Sequence, residues 1–343
     1  MKLIRTEEAA GHVLCHDLTQ IIRGVKKDAV FRKGHIVTKE DIPVLLSIGK
    51  EHLYVWEKQE GMLHENEAAQ ILGKICQGEN LHASSVKEGK IELIADCDGV
   101  LKVNGGKLRE INALGEMMIA SRHGNFPVKK GDKIAGTRVI PLVIHEDKMR
   151  RAEETAGNEP IFQIKRYLRK RAGIITTGSE VYSHRIQDTF TPVIEEKLSE
   201  YGVEVCEHFI CNDNPKMISN AIKEQMKRGC NLILCTGGMS VDPDDKTPLA
   251  IRNVTENVAA YGAPVLPGAM FLLAYYGGDL PIMGLPGCVM YAKRTIFDLV
   301  LPRVLTGETL TAEDLNGMGE GGLCLNCPVC SFPNCGFGKC GSR

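Results

Sequence analysis

The sequence predicts an α/β protein, with a three-layer parallel-sheet domain over residues 172–310 preceded by a smaller α+β and β-rich region over 1–150. Three observations carry this. From Ala172 onward, short apolar strands alternate with amphipathic helices of about 14 residues, the rhythm of right-handed βαβ crossovers with both sheet faces covered. Three strands of that series, AGIITT, NLILCT and LPIMGL, run into loops of small residues, and glycine supplies 36 of the 343 positions. Before residue 150 this rhythm is absent, and the stretch from about 85 to 145 is dominated by strand-like runs.

Residues 1–80 alternate strand-like pieces with helices: a run ending at Ile36 and Val37, then EDIPVLLSIG, then HLYVW, then a helical pattern from Leu63 to Cys76. IELIADCDGVLKV, a turn at NGG, MMIASR and the turn VKKGD follow, before a β-branched run to Ile144. His145 to Pro160 loses apolar periodicity and is charged, as a linker or domain boundary is, and 151–171 reads as a basic linker or helix. Its basic cluster, Lys165, Arg166, Arg169, Lys170 and Arg171, is either a solvated face or a site for an anion. Beyond it come the strand AGIITT, a helix over Asp188–Gly202, the strand VEVCEHFI and a helix over Asn214–Gly229 with proline early and glycine at its end. The strands NLILCT and LPIMGL and a helix from Pro286 to Leu301 complete the domain, leaving 311–343 as a Cys-rich tail.

Composition narrows the function. Forty-two Lys plus Arg face 43 Asp plus Glu for a net charge of −1, which leaves no cationic excess for a nucleic-acid backbone or an anionic membrane. No apolar run approaches the ~20 residues of a membrane span, and the acidic residues near the N-terminus do not suit a signal peptide. A cytoplasmic protein with reduced thiols is expected.

In an open parallel sheet, ligands bind beyond the carboxyl ends of the strands, where loops meet helix N-termini. Thr177, Gly178 and Ser179 follow the first strand; Thr236, Gly237, Gly238 and Ser240 follow NLILCT; Pro286 and Gly287 follow LPIMGL. Glycine lets backbone approach a bulky anion, and the hydroxyls of Thr177, Ser179, Thr236 and Ser240 can donate to its oxygens. Carboxylates share this rim: Asp188 and Asp213, each of which would otherwise serve as a helix cap, and Asp242, Asp244 and Asp245 after the Gly-Gly loop. Acids beside a phosphate-type loop would repel a phosphate ester without a divalent cation between them, so Mg²⁺ is expected, with Asp242 and Asp245 as its ligands.

TTGSE, Asp188 opening a helix, the Asn212-Asp213-Asn214 turn, TGGMSVDPDDKTP, LPGA and GLPG recur in one order, and over about 135 residues this stretch resembles the molybdopterin-binding domain of molybdenum-cofactor biosynthesis, the type found in molybdopterin adenylyltransferases and molybdenumtransferases. The resemblance implies a phosphorylated pterin, molybdopterin or its Mo-loaded form, as ligand, with Pro267 and Gly268 added to the binding loops and Asp245, Asp213 and Asp188 as the functional carboxylates. It implies transfer at phosphorus: the pterin phosphate attacks the α-phosphate of ATP, or an adenylylated pterin loses AMP as molybdate enters the dithiolene. A homo-oligomer is compatible with it. Two features depart from the molybdenumtransferase pattern: Leu266 and Ala269 flank Pro267-Gly268 where lysines are usual, and GLPG continues with Cys288 and Val289. These keep open a non-enzymatic carrier that delivers cofactor to a molybdoenzyme. The TGG…DD-X-T pattern is also similar to that of competence-damage proteins acting on nucleotide pyrophosphates, which makes a hydrolase a further alternative.

The tail is a separate signal. Cys324, Cys327, Cys330 and Cys335, with Cys340 beyond them, follow the pitch C-x2-C-x2-C-x4-C. That pitch is closer to iron–sulfur ligation than to the paired C-x2-C of a zinc ribbon, and the first four are the expected ligands of a cluster or of Zn²⁺.

Overall fold

A computed structural model describes residues 2–22, 26–55 and 60–339; Trp56 and Cys340 lie outside the described residues. The chain forms two compact units, neither continuous in sequence: 1–94, 104–122 and 133–162 make the first, and 95–103, 123–132 and 163–343 the second. No helix among the described residues is long and apolar enough to cross a membrane.

In the first unit, the strand Lys2–Arg5 pairs antiparallel with His52–Val55, and the hairpin Leu18–Ile22/Lys26–Phe31 accompanies the helix Asp41–Ser47. Leu14, Leu45, Leu53 and Val55 fill this small core. A four-stranded sheet, ordered Leu81–Ala83, Lys90–Ala95, Lys133–Val139 and Met117–Ser121, accompanies the helix Glu65–Cys76. That helix starts with a capping box, the His64 ring accepting from Asn66 N–H while the Glu67 carboxylate accepts from His64 N–H. Two expectations change here. The NGG turn is instead the start of a helix, Gly105–Ala113, because the Asn104 side chain accepts the Lys107 N–H and caps it. The charged stretch read as linker is the helix Glu146–Ala156, with Met149, Ala152 and Ala156 fully buried; its apolar stripe is too narrow to dominate the pattern.

The second unit is built on a six-stranded sheet. Its elements are β1 (Arg171–Thr177), α1 (Ser179–Tyr182), α2 (Thr191–Ser199), β2 (Glu204–Cys211), α3 (Pro215–Lys227), β3 (Leu232–Thr236), α4 (Thr247–Arg252), β4 (Asn257–Tyr261), β5 (Leu272–Tyr276), β6 (Leu280–Leu285), α5 (Ile296–Leu305) and α6 (Ala312–Asn316). Strand order is β2-β1-β3-β6-β5-β4. The first four strands are parallel; β5 and β4 are antiparallel and had no counterpart in the sequence pattern.

Alternating side chains define the layers. Ile174, Leu234, Met283 and Leu273 point to one face and pack with Ile194 and Leu198 of α2 and with α5. Ile175, Ile233, Cys235 and Ile282 point to the other and pack with Ile218 and Ile222 of α3 and Ile251 of α4. All ten residues of α5 are buried, Asp298 and Arg303 included. Phe126, together with Met318 and Phe337 of the tail, joins the first of these cores. The helix expected from Pro286 therefore splits: Gly287–Met290 is a short 3-10 turn, and α5 begins only at Ile296, capped by Thr295.

Three residues of the basic cluster are tied to backbone or sulfur acceptors of the second unit. Arg169 donates to the carbonyls of Val304, Asn231 and Asp279, Lys170 to Tyr201 O, and Arg171 to Arg228 O and the Cys206 sulfur.

Candidate functional site

Register places the strand ends level. Thr177 stands opposite Cys211, Thr176 opposite Thr236, and Thr236 opposite Leu285, so the loops after β1, β2, β3 and β6 emerge from one edge of the sheet. Because β5 runs the other way, with Leu272 opposite Gly284, the LPGA segment enters from that edge too. It packs against the start of α5, where Pro267 O accepts the Ile296 N–H at 3.2 Å.

The loops after β1 and β2 are clasped by Asp213, whose Oδ2 accepts from Ser179 N–H at 2.9 Å and Ser179 Oγ–H at 2.7 Å. The cap of α3 is the neighbouring Asn214, which accepts the Lys216 N–H, so Asp213 is left to the rim. The Gly237-Gly238 turn lies on β1: a side chain at Gly237 would strike the Thr177 carbonyl oxygen, and one at Gly238 would come within 2.8 Å of Thr247 Oγ1. Both glycines hold positive φ, +80° and +53°. Gly178, at φ +137°, gives the turn from β1 into α1. Met239 is buried and Ser240 exposed. Beyond them Asp242 and Asp244 are exposed and Asp245 half-buried; Asp245 N–H donates to Asp242 O at 3.0 Å, and its carboxylate accepts the Asp242 N–H at 3.3 Å. Pro286 is buried and Gly287 exposed on the last loop.

Three sequence-predicted side chains turn inward instead. The Thr236 hydroxyl is fully buried and reaches Thr176 Oγ1 at 3.4 Å, and Thr177 Oγ1 shares a 3.0 Å hydrogen bond with Thr247 Oγ1. Strand side chains alternate, so hydroxyls at these positions point into the layers while their backbone reaches the edge. Asp188 caps α2: its Oδ1 accepts from the N–H groups of Phe190 (2.8 Å) and Thr191 (3.1 Å), and its Oδ2 from the hydroxyls of Thr191 (2.6 Å) and Thr176 (2.9 Å). Burial pushes its carboxyl up, but these donors outweigh that and hold it below the usual aspartate range. With four donors on two oxygens, Asp188 has little capacity for a metal ion.

His208 completes this group, its Nε2 lying 3.0 Å from Thr176 Oγ1, 3.1 Å from Thr191 Oγ1 and 3.3 Å from Asp188 Oδ2. The sequence reading missed it, although a histidine in the strand VEVCEHFI was its available signal. Thr247, the threonine of the DD-X-T pattern, ties α4 to β1 through its hydrogen bond to Thr177.

Residues 173–306, which include this whole rim, match the family described as "Probable molybdopterin binding domain". Residues 3–57 match a domain of unknown function. Among curated proteins, a CinA-like protein of Mycobacterium tuberculosis (strain ATCC 25177 / H37Ra) is 40% identical over 77 residues, covering 22% of this chain and 18% of that protein. A CinA-like protein of Mycobacterium sp. (strain JLS) is 42% identical over 77 residues, with the same coverage. The chain thus spans less than a fifth of the curated relatives it matches. Among solved structures, the molybdopterin biosynthesis enzyme MoaB from Thermus thermophilus is 25% identical with a TM-score of 0.35, over 40% of this chain and 98% of that one. The protein CinA from Thermoplasma acidophilum is 18% identical with a TM-score of 0.32, over 39% and 98%.

Among the described residues, no three His, Cys, Asp or Glu side chains converge as a metal-binding group, either at the rim or in the tail.

Proposed function

We propose that the rim binds a phosphorylated pterin, molybdopterin or its Mo-loaded form, together with the AMP moiety of ATP or of an adenylylated pterin, and that the protein acts by adenylyl transfer or molybdenum insertion. The observation that carries this is the Gly237-Gly238 turn lying on Thr177 beside the Ser179–Asp213 clasp, at an edge where four strand ends meet. Backbone N–H groups and the exposed Ser240 hydroxyl are the donors for a phosphate there. Asp213 orients Ser179 and the first turn of α1. Thr236 and Asp188 hold the loops rather than the ligand.

Asp242, Asp244 and Asp245 offer only oxygen donors and water-accessible positions, a donor set that suits Mg²⁺. Bound there, Mg²⁺ would neutralise charge developing on the phosphoryl oxygens. In-line positioning by the chain accounts for most of the rate in such transfers.

Asp245→Asn keeps size and removes charge. Turnover should fall by about 100-fold or more while pterin binding changes little; unchanged turnover removes Asp245 from this role. Incubating the protein with pterin and ATP, and separately with adenylylated pterin and molybdate, separates the readings by product: adenylylated pterin with pyrophosphate from the first, metallated pterin with AMP from the second, or retained pterin with neither product.

The CinA-like matches support a second reading, a nucleotide-pyrophosphate hydrolase, which would cleave its substrate without pterin. The carrier reading has its own support: the backbone of Leu266 is engaged by the tail, with Leu266 N–H donating to Gly322 O and Cys324 N–H to Leu266 O, both at 2.8 Å.

A further inference from the structure

The pterin reading leaves the cysteine-rich tail unused, although the tail is firmly built into the second unit. Leu323 makes a parallel bridge with Leu266. Phe337 is buried, and Phe332 stacks at a tilt between it and Phe126, with ring centroids 6.2 and 5.9 Å apart. The Arg294 guanidinium lies 5.1 Å over the Phe332 ring, and Lys293 Nζ donates to Pro328 O at 2.8 Å. Gly338 N–H donates to Gly321 O at 2.9 Å and closes the segment.

These anchors arrange four thiols around one space. Cys324, Cys327, Cys330 and Cys335 all line a cavity of about 450 Å³, with Lys293, Arg294, Phe332 and Phe337 also in its wall. All four cysteines are free of disulfides. A single Zn²⁺ binds sulfur at about 2.3 Å and draws four thiolates onto one point, which leaves no cavity between them. Here the four cysteines are spread along the wall of one cavity rather than gathered at one point. That arrangement suits a polynuclear centre, which fills the space with its own iron and bridging sulfide and meets thiolates at its corners. A cluster with four thiolate ligands retains net negative charge, and Lys293 and Arg294 stand beside it; Arg294 is also shared with Glu200 and Asp298.

We propose that this cavity is the seat of an iron–sulfur cluster held by Cys324, Cys327, Cys330 and Cys335. The assignment does not depend on what the rim binds. The test is anaerobic purification of the full chain, reconstitution with iron and sulfide, and determination of iron, acid-labile sulfide and zinc beside the visible spectrum. The parent should be brown, with about four irons and four sulfides per chain. Cys327→Ser and Cys330→Ser should each lose at least half of the iron while far-UV circular dichroism stays unchanged, because both side chains are exposed and neither supports a core. Cys206→Ser, far from the cavity in sequence and not in its wall, should keep the full load. One zinc per chain, a colourless reconstituted protein, or iron retained in both tail variants would each overturn the proposal. Iron retained in Cys335→Ser would remove that residue from the ligand set and overturn the four-ligand assignment.

Discussion

Replacing Gly237 by alanine tests whether the rim is held by close backbone packing. At φ +80° an L-residue costs about 1–2 kcal/mol. The added methyl also meets the Thr177 carbonyl oxygen and lies 2.9 Å from Thr177 Oγ1. That carbonyl is part of β1 and cannot swing aside as a side-chain tip could, so overpacking adds about 1–3 kcal/mol. Alanine also restricts the unfolded chain, which returns about 0.4–1 kcal/mol. The net loss is about 1–5 kcal/mol, a substantial part of the ~5–15 kcal/mol that holds a typical domain. Urea unfolding followed by circular dichroism, with midpoint and slope compared to the parent, measures it. The control is Gly287→Ala: nothing lies within 4 Å of its added methyl and its φ is not positive, so it should stay within about 0.5 kcal/mol of the parent. If Gly237→Ala also stays within that margin, or if the two variants lose equal stability, the close approach of the turn to β1 does not hold the rim.

Asp298 is 3% exposed; it pairs with Lys197 at 2.7 Å and Arg294 at 2.8 Å, and closes the capping box of α5 by accepting the Thr295 N–H. Asp298→Asn leaves the buried Lys197 short of a partner, while Arg294 keeps Glu200, and should cost about 3–5 kcal/mol in the same unfolding assay. Asp188→Asn should show a pH signature. Because the folded-state pKa of Asp188 is depressed, its stabilisation is fully present above the ordinary aspartate value and is lost as pH falls through the folded pKa. The stability gap between parent and variant should therefore be constant near neutrality and close progressively below about pH 4; a gap that persists undiminished at lower pH would show that the capping geometry, not the charge, is what matters.

The α/β rhythm after Ala172 was legible because buried parallel strands leave uninterrupted apolar runs such as AGIITT and NLILCT, and the small-residue loops marked their carboxyl ends. The antiparallel strands Asn257–Tyr261 and Leu272–Tyr276 were not, since they fall outside the repeating strand-loop-helix rhythm that marked the others. Nor was the division into units. Residues 95–103 and 123–132 read as a continuation of the first region, yet the second unit takes them in through tertiary contacts: Phe126 enters its core and Lys102 pairs with Glu308 at 2.6 Å. At the rim, sequence could name Thr177, Thr236 and Asp188 as polar residues near strand ends. Only the pleat decides that the hydroxyls of Thr177 and Thr236 face inward and that Asp188 is saturated by its own helix.

The loops of the rim are unevenly constrained, and this decides where the entropic cost of binding falls. The turns after β1 and β2 are cross-tied by Asp213, and the Thr176–Asp188–Thr191–His208 group fixes the entry to α2. The segment from Val241 to Asp245 has two contacts of its own, Asp245 N–H to Asp242 O and Asp242 N–H to the Asp245 carboxylate, and is mostly solvated. An arriving anion would meet one wall already rigid and one that must still lose freedom, at roughly 1–2 kcal/mol per residue ordered. Affinity for different ligands would then be graded mainly by how much of the acidic segment each one immobilises, while the glycine turn and its clasp hold the same geometry for all of them.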